Sequence, residues 1–173
     1  ELISDDGKSK VMVIPAWQGR VMTTSAAGDE GDSYGWINYS FIKKRQIDLQ
    51  FNPVGGEERF WLGPEGGVFS LYFRQGEKQI YKNWKVPPVL DIEAFKIQSQ
   101  SKNCICLTKE GCLTNACGTT FYLNIKRTIS LLDINEFAAS FNLEFPKDIK
   151  AVAYKSDNQI TNIGNESWNK ETG

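Results

Sequence analysis

The chain has 173 residues with 20 basic and 21 acidic side chains, a formal net charge of −1 and no histidine. Its length suits about one domain that buries roughly two thirds of its unfolded surface, and its balanced charge lacks the basic footprint needed for phosphate backbones, which excludes nucleic acid as a partner. No apolar run approaches the roughly 20 residues that span a bilayer, so no transmembrane segment is expected, and the lack of histidine removes the commonest neutral-pH base and metal ligand.

Strand signals come first. Val11 to Ile14 is a short apolar run, and Arg20 to Thr24 follows it after a break at Pro15 to Gly19. The Ala26 to Gly35 segment reads as a flexible loop. Its Asp29, Glu30 and Asp32 lie among glycines without the ordered spacing or terminal Glu of an EF-hand, so they read as a solvated acidic loop, and neither a metal nor a cofactor is expected. Trp36 to Lys44 fits a strand or a helix, and periodicity does not choose between them. Val68 to Arg74 alternates, which predicts a half-buried strand with Phe69, Leu71 and Phe73 on one face and Ser70, Tyr72 and Arg74 on the other. Pro87-Pro88 reads as a bend before a new strand rather than a domain boundary.

Phe95 to Gln100 and Asn103 to Lys109 predict a hairpin turning near Ser101 and Lys102. Within it Cys104 and Cys106 alternate with Ile105 and Leu107. The C-x-C-x5-C-x4-C spacing formed with Cys112 and Cys117 lacks the C-x-x-C pairs common in zinc sites, so buried strand thiols are the first reading. A bridge from the first pair to Cys112 or Cys117 stays open for an exported protein. Thr119 to Leu131 alternates again and places Phe121, Leu123 and Ile125 inward and Tyr122, Asn124 and Lys126 outward. Asp133 and Glu136 form an N-cap and capping-box pair before Phe137 and Phe141, which predicts a short helix. A last strand is expected over Ile149 to Asn162, ended by a turn at Asn162 to Ser167. Many strands between Gly, Pro and Asn turns predict a mainly β fold, an antiparallel β-sandwich.

The Gly55 to Gly67 stretch, GGEERFWLGPEGG, places three carboxylates, an arginine and a tryptophan between two glycine pairs. Glycines let the backbone turn sharply or approach a ligand closely. Core packing is the default for Trp61, and its indole is also suited to stacking on the apolar face of a pyranose. Arg59 can hold a neighbouring carboxylate and still offer donors, and Glu65, between Pro64 and Gly66, can point into a cleft. Glu57, Glu58 and Glu65 are therefore candidate catalytic carboxylates, although adjacent acids are commonly solvated loop charges. Arg59, Trp61 and Glu65 are candidate sugar-binding residues, with Trp36 and Asn38 as a second lip and Arg20 as a third.

Three segments in this order, GRVMTT at Gly19, GGEERFWLGPEGG at Gly55 and ITNIGNESW at Ile160, resemble a family of uncharacterised bacterial proteins in the galactose-mutarotase-like superfamily. The resemblance implies an antiparallel supersandwich whose concave sheet binds sugars, and a periplasmic or cell-surface setting. It also implies that Asn162 to Asn165 lies near mid-domain, so the chain is expected to be the N-terminal part of a longer polypeptide whose remainder supplies further strands. True mutarotases use histidines, and with none here their chemistry is carried over to no residue.

These readings lead to a carbohydrate-binding protein of mutarotase-like fold. A carboxylate-dependent epimerase, lyase or hydrolase, and a non-catalytic interaction scaffold, are the alternatives.

Overall fold

The computed structural model describes residues 1–146 and 148–173. Two antiparallel meanders make up a β-sandwich. The first joins β1 (Leu2–Ile3), β2 (Lys10–Ile14) and β3 (Arg20–Ser25) in the order β1-β2-β3. Between β2 and β3 the chain reverses through Gln18 and Gly19, both at positive φ, 63° and 59°. Glycine is required at position 19 on two counts, because a Cβ there would also lie 2.7 Å from Leu107 Cδ1.

A long, mostly irregular segment follows. It contains α1 (Tyr39–Lys44) and α2 (Pro88–Asp91). Asn38 decides the open reading of Trp36 to Lys44 in favour of a helix: its side chain caps α1 by accepting from the Phe41 amide at 3.1 Å. Pro87-Pro88 introduces α2 rather than leading straight into a strand. The fixed φ of proline suits a first helical turn, where no amide donor is missed.

The second sheet, in the order β4-β5-β6-β7, contains β4 (Lys96–Gln100), β5 (Cys104–Thr114), β6 (Thr120–Leu132) and β7 (Ala153–Asn162), with α3 (Ile134–Ser140) between the last two. Alternation dictates this sheet. From Cys104↔Ser130 to Thr114↔Thr120, β5 and β6 pair without a slip, so Ile105, Leu107 and Leu113 share one face with Leu123, Ile125, Ile129 and Leu131, and all are buried. Val11, Val13 and Val21 of the first sheet join this same core. Each fully buried side chain such as Ile125 or Leu107 contributes about 1.5–3 kcal/mol relative to exposure. The outer face carries Glu110, Tyr122, Asn124 and Lys126, as alternation requires. Cys104 and Cys106 also point outward; all four cysteines are free, Cys106 is buried and Cys104 half-buried.

Two strand expectations need correction. Val68 to Arg74 forms bends and turns with no ladder. Its amides are satisfied locally, by Leu71 N donating to Pro64 O and Tyr72 N to Ser70 Oγ, and Ser70, Tyr72 and Phe73 from both supposed faces are buried. The last strand begins at Ala153 rather than Ile149, where β7 first pairs with Leu132 of β6. The expected helix cap is present: Asp133 accepts from the Asn135 and Glu136 amides.

Candidate functional site

The Gly55 to Gly67 segment lies beside the open edge of β3. Gly55 and Gly56 adopt φ of +92° and +111°, and a Cβ on Gly56 would sit 2.7 Å from Arg20 Cδ and 3.0 Å from Val21 O. That closeness lets Glu57 N donate to Val21 O at 2.9 Å and Val21 N to Glu58 O at 3.0 Å, a short extra rung on β3. Extended backbone sends successive side chains to opposite sides. The Glu57 carboxylate therefore turns back to accept from Thr24 N at 2.6 Å and Thr24 Oγ1 at 3.0 Å, while Glu58 reaches toward β6 and β7.

There Glu58 meets a polar cluster set into the inner face of the second sheet. Arg127 of β6 pairs through Nη2 with Glu58 and donates through Nη1 to Asn158 Oδ1 at 2.9 Å. Ser156 Oγ donates to Glu58 Oε1 at 3.3 Å, and Asn158 Nδ2 to Ser156 Oγ at 3.0 Å. Tyr154, Ser156 and Asn158 are on the β7 face that adjoins Leu131, Ile129 and Arg127. Burial is graded across the cluster: the Arg127 side chain is fully enclosed, whereas Glu58 is 25% exposed and Asn158 is exposed. A buried guanidinium thus fixes a carboxylate whose remaining surface meets solvent, beside a hydroxyl, an amide and a phenol. Burial first, then the charges of Glu57 and Glu58, push the Tyr154 phenol up to about 12, so it stays a hydrogen-bond donor at neutral pH.

The other sequence candidates have internal partners. Arg59 donates to Leu90 O, pairs with the buried Asp91 at 3.5 Å and lies 4.1 Å from the Trp61 ring centre. Trp61 packs against Tyr72 with centroids 5.2 Å apart, and its indole N–H donates to Glu65 Oε1 at 2.8 Å. The half-buried Trp61 and the buried Tyr72 form an aromatic cluster with Phe51 and Trp84. Glu65 is otherwise exposed. Arg20 lies behind the motif, not at a lip: it is 3% exposed and holds Gly55 O, and burial followed by the like charge of Arg59 push its guanidinium below its ordinary range. Asn38 is committed to capping α1 and to Pro53 O. Trp36 remains 66% exposed, and its carbonyl accepts from Gly56 N.

Arg127, Tyr154, Ser156 and Asn158 were not among the sequence candidates. The signal was an arginine standing at an apolar position in the β6 alternation, opposite a strand that is polar where apolar residues belong. The three segments singled out in the sequence do converge. GRVMTT pairs with the glycine-rich segment through Val21 and Thr24, and that segment meets the third at a cleft of about 200 Å³ lined by Leu62, Pro64, Ile160 and Trp168.

No curated protein and no solved structure matches the chain. Over residues 1–173 it matches the family described as DUF6786, of unknown function, and it belongs to that family.

Proposed function

We propose that the chain is a carbohydrate-binding domain whose ligand lies against the inner face of the second sheet at Glu58, Tyr154, Ser156 and Asn158. One observation carries this reading: the part-exposed Glu58 carboxylate is held by the enclosed Arg127 and by Ser156, next to an exposed amide. Sugar hydroxyls both donate and accept. A fixed acceptor beside neutral donors matches them at lower desolvation cost than free charges would, because the ion pair is already formed. The resemblance of GGEERFWLGPEGG to mutarotase-like proteins supports the same ligand class, and with it an exported, periplasmic or cell-surface setting.

β7 also offers a free edge suited to pairing with a further strand. β7 pairs regularly with β6 from Ala153 to Asn162 and has no strand on its other side among the described residues. β4, the opposite edge, is interrupted by a bulge between Ile97 and Ser99, a device that blunts pairing.

A glycan array followed by calorimetry tests the binding. Ser156→Ala should weaken binding about 3- to 10-fold, as expected for a lost hydrogen bond; Asn158→Ala should weaken it similarly and also lower the melting temperature, because it leaves a donor of the buried Arg127 unpaired. A protein that ignores every mono- and oligosaccharide offered would overturn the proposal.

A further inference from the structure

The inner face of β7 continues past the Glu58 cluster. After Ser156 and Asn158, alternation brings Ile160 and Asn162 to the same side, and four to six residues of strand place these groups ~13–20 Å along the sheet from Ser156. The glycine-rich segment runs beside it, since Glu58 touches Ser156 while Leu62 and Pro64 line a cleft with Ile160. The motif and β7 therefore adjoin at two places, a polar one at Glu58 and Ser156 and an apolar cleft at Ile160.

Trp168 closes the apolar end. It is 41% exposed and stands at 84° to Phe121 with ring centroids 6.0 Å apart. It also borders a second cleft of about 630 Å³ whose other walls include Thr119, Asn162, Asn165 and Ser167. An exposed indole between an apolar pocket and a set of amides and hydroxyls has the amphipathic character of a pyranose subsite: carbon-bound hydrogens meet the ring, and hydroxyls meet the polar wall.

We propose that the ligand is an oligosaccharide lying along β7, with its first ring at Glu58 and Ser156 and a distal ring on Trp168. This rests on the carbohydrate reading given above and assigns the ligand's length and second subsite. A single hexose is too short to touch both places at this spacing along β7, so affinity is expected to grow with chain length.

Calorimetry with mono- to hexasaccharides of the cello-, xylo- and galacto- series provides the test. Affinity is expected to rise with length, and Trp168→Ala should remove about tenfold of the gain on the longer sugars while leaving monosaccharide affinity unchanged. Ser156→Ala should weaken all lengths alike. Trp168→Phe, which keeps an aromatic face, should retain most of the gain and shows whether Trp168→Ala acts through lost stacking or through disturbed folding. Affinity independent of length, or equal loss on short and long sugars in Trp168→Ala, would overturn the oligosaccharide subsite and leave the Glu58 site standing. A failure to bind any sugar would overturn both.

Discussion

At the scale of single residues, the glycine-rich motif is first a structural splice. Gly56 has both a positive φ and no room for a side chain against Arg20 and Val21, so Gly56→Ala should cost about 1–3 kcal/mol or more, read as a lower urea midpoint with an unchanged slope. Trp61 interacts with Arg59 and Tyr72 rather than standing free. Its replacement by alanine is expected to remove about 2 kcal/mol or more of stability; a variant that melted like the parent while losing sugar affinity would assign it to the ligand instead. Tyr154 links the site to pH. Its folded pKa is raised from 10.0 to about 12 by burial and then by Glu57 and Glu58. Protonated Tyr154 therefore contributes stability that is complete below pH 10 and is lost as pH rises from 10 to about 12. Alkaline unfolding should be shallower over that window in Tyr154→Phe than in the parent.

At the scale of elements, legibility followed alternation. β5 and β6 were plain in the sequence because apolar residues recur at alternate positions, as at Ile105 and Leu107 and at Phe121, Leu123 and Ile125, and the partners pair without a slip. The Asp133 cap was plain because its chemistry is local. In contrast, Asp133→Ala should cost about 1 kcal/mol, seen as faster hydrogen exchange at Asn135 and Glu136. Val68 to Arg74 misled for a physical reason. Aromatic alternation imitates a strand, but Pro64 and the Gly66-Gly67 pair before it turn the chain onto itself, and Ser70 Oγ and Pro64 O take the amides a ladder would have used. The site was half legible. Glu57, Glu58 and Arg59 are neighbours in sequence, whereas Arg127, Ser156 and Asn158 reach Glu58 only through sheet register, with separations of 69 residues for Arg127 and 98 for Ser156. A polar residue inside an apolar alternation, such as Arg127 between Ile125 and Ile129, is the feature that announces such a cluster.

At the scale of the molecule, one core joins the two sheets, and the charged groups within it are concentrated where the glycine-rich segment crosses from β3 toward β7. Arg20, Arg59 and Arg127 are all withdrawn from solvent there, opposite Glu58 and Asp91. Isolated buried charge is expensive, and breaking one pair leaves the other ion uncompensated. The arrangement is therefore held as a unit, which keeps the outer carboxylate and amide of the cluster in fixed positions. The free edge of β7 and the cleft at Ile160 adjoin this same region.

The most direct measurement is an amide chemical-shift titration of the isotope-labelled protein with the tightest-binding oligosaccharide from the length series. The largest shifts are expected at Glu58, along Tyr154 to Asn162 and at Trp168, with α1 and the outer face of the second sheet unmoved. Shifts centred on Trp36 and α1, or on the outer face around Glu110 and Lys126, would contradict this placement.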